Sequence, residues 1–277
     1  MTTRSPRHVP RVKWHMLRRR KSDAAFLREN LTAALRSSAA CEVDLAFTAD
    51  GHALCIHDRT LDRETNGHGR VSETARAALE SLRQRAPDGA VLDSAPLFLD
   101  EVVARVRSEN VQLSALVQLD VKARADTLTQ TALRRFGSLL ESRTDVFIAS
   151  AYEWEVVRLL VDSAPGLHAG FDPLAFYPRS FDLDADGFRG VAARMFATAP
   201  GASIYYLEAK LILEAFRRGV DLVEPVRAAG ARVDAWTIDV DYPGLNDVLR
   251  RLIELGCNQI TSNDPEEIGG IIDTIVA

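Results

Sequence analysis

From residue 12 to the C-terminus the chain alternates short apolar runs with longer amphipathic stretches. Apolar runs of this length suit strands buried on both faces, and stretches with apolar residues three and four apart suit helices that cover them. Strand followed by helix, repeated, implies parallel pairing, because a parallel neighbour is reached only through a long crossover. Strands are predicted at 12–16, 41–47, 53–57, 115–122, 146–150, 167–171, 203–207, 232–238 and 259–261. Helices are predicted at 24–37, 99–108, 125–141, 153–163, 210–218, 244–255 and 265–276. The count is close to eight of each, and 277 residues suit one α/β domain, a (β/α)8 TIM barrel spanning 1–277. A doubly wound open sheet is the rival, but no G-x-G-x-x-G follows an early strand. Two stretches break the rhythm, 58–96 and 172–187. The first is expected to be a small insertion after the second or third strand, at the catalytic face, where barrels accept extra chain.

A net charge of -5 gives no bulk attraction to nucleic acid. The N-terminal stretch is nevertheless basic, with Arg4, Arg7, Arg11, Lys13, Arg18, Arg19, Arg20 and Lys21 against Asp23 alone. Such a run is ordinarily a solvated tail, with a phosphate-facing role or peripheral membrane contact as the alternative. Cys41, Cys55 and Cys257 lie in apolar contexts and are odd in number, which fits buried thiols of a reducing compartment. No run is long enough to span a bilayer, and the basic N-terminus precedes no apolar segment, so the cytoplasm is the expected location.

The chemistry is concentrated where charge interrupts apolar strands. In Glu42-Val43-Asp44 the period of two puts both carboxylates on one face. Two acids held close need a cation, which means either a hard metal such as Mg²⁺ or Ca²⁺ or an ion pair with a basic residue of the next strand. Asp120 and Lys122 repeat the spacing in Leu119-Asp120-Val121-Lys122 and offer a third oxygen ligand beside a fixed cation. His57 ends the run Ala53 to Ile56, and His15 closes the first strand candidate. Two imidazoles, three carboxylates and a lysine suit phosphodiester cleavage, with one imidazole taking a proton and the other giving one. Acyl transfer has no support, since G-x-S-x-G is absent.

The ordered set Arg28-Glu29-Asn30, Glu42-Val43-Asp44-Leu45, His57-Asp58-Arg59-Thr60-Leu61-Asp62-Arg63, Thr65-Asn66-Gly67-His68-Gly69-Arg70-Val71, Asp120-Val121-Lys122 and Ala235-Trp236-Thr237-Ile238 resembles the glycerophosphodiester phosphodiesterases over nearly the whole chain. The resemblance implies one divalent cation held by Glu42, Asp44 and Asp120. It also implies His15 and His57 as acid and base, Lys122 as a stabiliser of phosphate charge, and Trp236 as a wall near the substrate. For Trp236 a plain core position is the alternative. The implied reaction releases glycerol 3-phosphate and an alcohol from a small glycerophosphodiester.

Three departures matter. The family's His-Arg-Gly is His15-Met16-Leu17 here, so its arginine is missing, and Arg18, Arg19 and Arg20 are the candidates to replace it. Asp120 stands where a glutamate is usual, and Ser262-Asn263 where Thr-Asp is usual. These features also resemble the sphingomyelinase D group of phospholipase D toxins, which makes head-group cleavage of lysophospholipid or sphingomyelin the second reading. A non-catalytic phosphate-binding barrel is the third.

Overall fold

The computed structural model describes residues 9–109, 111 and 117–277. Arg4 and Arg7, and residues 115 and 116 of the expected fourth strand, lie outside the described residues. The strands are β1 Arg11–Trp14, β2 Ala40–Phe47, β3 Ala53–Cys55, β4 Val117–Val121, β5 Phe147–Ser150, β6 His168–Phe171, β7 Ile204–Glu208, β8 Arg232–Trp236 and β9 Gln259–Ser262. The helices are α1 Arg28–Arg36, α2 Arg76–Leu79, α3 Leu99–Ser108, α4 Gln130–Leu140, α5 Trp154–Ser163, α6 Ala185–Thr198, α7 Ala209–Arg217, α8 Glu224–Ala228, α9 Leu245–Leu255 and α10 Pro265–Val276.

Eight parallel strands close on themselves in the order β1, β2, β4, β5, β6, β7, β8, β9, with β1 paired to both β2 and β9. This is the expected (β/α)8 barrel, with helices between successive strands. The third of the nine expected strands, β3, lies outside the closed ring as an antiparallel partner of β2. Its role is positional. β2 overshoots the barrel mouth, Gly51 (φ 79°) helps turn the chain, and β3 returns alongside it. Ile56 then donates its backbone N–H to the Asp44 carbonyl (3.0 Å), which brings His57 back to the level of the β2 acids.

Residues 58–96 form a module on β3, tied by bridges Thr60 to Arg70, Thr65 to Gln84 and Arg85 to Val91. Leu61, Val71 and Leu79 join Leu54, Ile56 and Phe98 in a small apolar cluster of its own.

The largest departure from the sequence reading is α6, fourteen residues where no helix is predicted. Gly187 and Gly190 weaken the local preference, and the Asp-rich lead reads as loop. Tertiary burial overrides this. Phe188, Val191 and Met195, at i, i+3 and i+7, are buried, each contributing about 1.5–3 kcal/mol. Asp184 caps the helix by accepting the Gly187 N–H at 2.8 Å.

Candidate active site

Register along the barrel wall decides which side chains meet. Asp44 of β2 lies beside Asp120 of β4, Glu42 beside Gln118, and Asp120 beside Ser150 of β5. The period of two sends all of these inward. Glu42, Asp44 and Asp120 are buried, with ligand oxygens within 4.8 Å of one another.

Beneath this triad lies a charged layer absent from the sequence reading. Lys13, 2% exposed, contacts Gln118 Oε1 and lies 3.2 Å from Asp234 and 3.5 Å from Glu42. Its ammonium also stands 4.5 Å from the centre of the Tyr206 ring. That ring fits because residue 170 is glycine: a Cβ there would come within 2.6 Å of Tyr206. Burial alone would lower the Lys13 pKa, but Asp234 and then Glu42 hold it above its ordinary value. Thr261 donates to Asp234 (2.6 Å), Gln118 to Ser150 (2.9 Å), and Ser150 to Asp120 (2.6 Å), so a hydrogen-bonded lattice orients the acids.

Lys122 closes the triad from above, 2.9 Å from Asp44 Oδ1 and in contact with Asp120 Oδ2. Burial opposes its charge, while Asp120 and Asp44 raise its pKa well above the usual value. Four carboxylates, those of Glu42, Asp44, Asp120 and Asp234, thus face two ammonium groups, Lys13 and Lys122. Carboxylates thus outnumber ammonium groups here even without Asp172, and Asp44 Oδ2 finds no hydrogen-bond partner among the described residues, which leaves it open to a divalent cation. The acid cluster therefore fits a metal. A second set, His57, Asp58 and Glu64, does not. Arg63 already holds Asp58 (2.6 and 2.7 Å) and Glu64 (2.9 Å).

His15, His57, Glu42, Asp120, Lys122 and Trp236 line one cavity of about 160 Å³ at the C-terminal mouth of the barrel. Both imidazoles are anchored through Nδ1. His57 Nδ1 is 2.9 Å from Asp58 Oδ1, and His15 Nδ1 is 2.9 Å from Asn263 Oδ1. With Nδ1–H directed at its anchor, each ring leaves Nε2 for the cavity, as an acceptor in the neutral ring and as a donor in the imidazolium. The two anchors differ in charge. Asp58 is an anion, its pKa lowered to about 2 by the hydrogen-bonded Arg63. Asn263 is neutral and passes the connection on, its amide donating to Asp239 (3.0 Å).

The arginine cluster after His15 separates in space. Met16 and Leu17 are buried with positive φ (52° and 56°), a left-handed turn at the positions of the family's Arg-Gly. Arg18 then folds back to donate to Asn263 Oδ1 (3.1 Å), behind His15 and outside the lining of the catalytic cavity. Arg19 pairs with Glu266 (2.6 Å) on α10 and Arg20 is exposed, so neither lines the cavity. Lys21 pairs with Asp239 and Asp241. The expected solvated basic run is corrected on two counts: Lys13 is inside the barrel, and Arg19 and Lys21 are neutralised by acids distant in sequence.

Several residues in and beneath the cavity escaped the sequence reading. Lys13 shares with His15 the same two-residue spacing that pairs Glu42 with Asp44, and Asp234, in the layer beneath, shares it with Trp236. Asp172, just past β6, lines the cavity, and burial followed by nearby Asp120 pushes its pKa well above the carboxylate range. Tyr152 and Tyr206 complete the wall and carry no sequence signal of their own.

Comparison with known proteins agrees with this fold. The glycerophosphoryl diester phosphodiesterase family matches residues 29–267. A Mycobacterium tuberculosis protein named probable glycerophosphodiester phosphodiesterase 1 is 29% identical over 214 residues, 72% of this chain and 70% of its own. Among solved structures, an Oleispira antarctica phosphodiesterase in complex with the product sn-glycerol-3-phosphate superposes with a TM-score of 0.70 at 17% identity, covering 96% of this chain and 97% of its own. A glycerophosphodiester phosphodiesterase from Agrobacterium tumefaciens gives 0.68 at 18% identity, over 95% and 99% of the two chains. At such identities the structural likeness speaks for the fold.

Proposed function

The chain belongs to the glycerophosphoryl diester phosphodiesterase family, and from that premise we propose that it hydrolyses glycerophosphodiesters to glycerol 3-phosphate and an alcohol in the cavity over Glu42, Asp44 and Asp120. The observation that carries this reading is the pair of Nδ1-anchored imidazoles, His15 and His57, facing one cavity above three buried acids. Glu42, Asp44 and Asp120 would hold Mg²⁺ or Ca²⁺, which suits an all-oxygen donor set. A cation bound there supplies Lewis-acid stabilisation of charge on the phosphate oxygens.

The chain's own groups do the rest. The ring that acts as base, neutral with Nε2 unprotonated, accepts the proton of the attacking hydroxyl, while the ring that acts as acid enters as imidazolium and gives its Nε2 proton to the departing alkoxide. Asp58 and Asn263 orient the rings, each through a 2.9 Å contact with Nδ1, so that Nε2 serves the reaction. Lys122 offsets negative charge on the phosphoryl group, and Trp236 and Tyr152 wall the cavity. Arg18 shares the Asn263 acceptor with His15 and so supports the orientation of that ring.

The lipid-cleaving alternative draws on Met16, Asp120 and Asn263, but the basic loop that would attract an anionic surface is largely paired internally. No described helix is long and apolar enough to cross a membrane. Three buried free cysteines suit the cytoplasm. His15→Ala and His57→Ala test the reading. Each should lower kcat by about 10²–10⁴-fold while glycerol 3-phosphate binding persists. Retained turnover in both variants would remove the acid/base assignment.

A further inference from the structure

Beside the catalytic cavity, and sharing Lys122 with it, lies a groove of about 200 Å³ with a distinct chemistry. Its floor is apolar, with Phe47 and Val71, and its rim carries Arg59, Arg70 and Arg124. Among the described residues no carboxylate lines it, although the chain as a whole has 39 acidic residues and a net charge of -5. Positive charge is therefore concentrated here against the trend of the molecule.

The rim is built by the fold. Thr60 bridges to Arg70, Val71 N–H donates to the Arg59 carbonyl (3.1 Å) and Leu61 N–H to that of Gly69 (2.9 Å), so the insertion carries Arg59 and Arg70 on adjacent segments. Arg124 comes from the loop after β4, two residues beyond Lys122. Among the described residues the Arg59 side chain donates to a backbone carbonyl, that of Lys122 (3.2 Å), and pairs with no acid. Arg70 has a loose contact with Glu73 (3.7 Å), and Arg124 with Asp126 (3.3 Å) and Glu153 (3.7 Å). Exposed pairs of this kind yield readily to a better anion, and guanidinium groups suit phosphate and carboxylate.

We propose that this groove is a second anion subsite, which receives an anionic substituent, a phosphate or a carboxylate, on the alcohol portion of the substrate. The proposal rests on the glycerophosphodiesterase reading. A diester centred over the acid triad extends past Lys122 into the groove, placing its far end among the three guanidinium groups. The groove thereby favours diesters whose alcohol carries its own negative charge.

The test compares glycerophosphoglycerol with the same compound bearing a terminal phosphate, on the wild type and on Arg59→Gln/Arg70→Gln/Arg124→Gln. The ratio of kcat/KM, phosphorylated over unphosphorylated, should fall on the order of tenfold in the triple variant. In the wild type the ratio should also fall as salt rises, because the Debye length shrinks from about 10 Å at 0.1 M to 3 Å at 1 M. An unchanged ratio in the triple variant overturns the subsite and leaves the hydrolase reading standing. If the wild type cleaves neither compound with added Mg²⁺ or Ca²⁺, the hydrolase reading fails instead, and calorimetry with inorganic pyrophosphate on metal-free protein judges the groove. Binding weakened about tenfold in the triple variant supports the anion site, and equal binding refutes it.

Discussion

Replacing Lys13 by methionine isolates the charge beneath the acid triad. Methionine preserves most of the side-chain volume and the contact with Tyr206, so the main loss is the ammonium group 3.2 Å from Asp234 and 3.5 Å from Glu42. Removing one member of a buried ion pair costs about 3–5 kcal/mol, because the partner charge is left in a poorly solvated site. For a chain of this size that corresponds to a Tm lower by about 5–9 °C. Adding Asp234→Asn removes one of the two orphaned carboxylates and keeps an acceptor for Thr261, so the double variant should recover at least about 1 kcal/mol relative to additivity. The single variant should also regain stability as pH falls, since the abandoned acids can then protonate. In the wild type the sign is the same but the window is alkaline. The raised Lys13 pKa means that its contribution is fully present below the ordinary value of 10.5 and is lost as pH rises through the higher folded value. Thermal denaturation of the four proteins of this cycle across pH measures every term. A single variant as stable as the wild type at neutral pH, with no coupling to Asp234→Asn, would refute the reasoning.

Asp58→Asn should lower kcat by about 10²–10⁴-fold, because the ring of His57 loses its anionic anchor; steady-state kinetics with an unchanged kcat would show that Asp58 serves only the ion pair with Arg63. The wild-type stability contributed by Asp58 should be present above its ordinary pKa of 3.8 and fade as pH falls toward about 2, a trend visible in acid denaturation and absent from the Asn variant. Gly170→Ala should destabilise by about 1–3 kcal/mol, since the new methyl carbon meets Tyr206 at 2.6 Å, and denaturant titration would expose an unexpectedly tolerant site.

Much of the site was legible because strands impose a period of two. Glu42 with Asp44, and Asp120 with Lys122, announce themselves as charge inside apolar runs, and the register then sets the two strands side by side. Lys13 carried the same signal but lay among basic neighbours, where charge density suggested a solvated loop. Only closure of the barrel, through pairing of β1 with both β2 and β9, turns it inward. His57 was recognised by its position after an apolar run, yet that run forms the hairpin partner β3, and the overshoot of β2 explains its arrival at the mouth. The contacts of Asn263 with His15 and Arg18 join positions about 250 residues apart, beyond any local pattern. The helix α6 was hidden for a different reason: its glycines mask a short apolar stripe that only tertiary packing rewards.

The central claim is that the acid triad and the two anchored imidazoles form one cation-dependent site for glycerophosphodiester hydrolysis. Phosphorus NMR of glycerophosphoglycerol turnover, with Mg²⁺ or Ca²⁺ and again after chelation, tests it most directly. The account predicts glycerol 3-phosphate as the phosphorus product, formed with the cation, suppressed by chelation and lost in Asp44→Asn. A transient cyclic phosphate would mean that the substrate's own hydroxyl attacks first. Turnover unaffected by both chelation and Asp44→Asn, or no turnover with either cation, would contradict it.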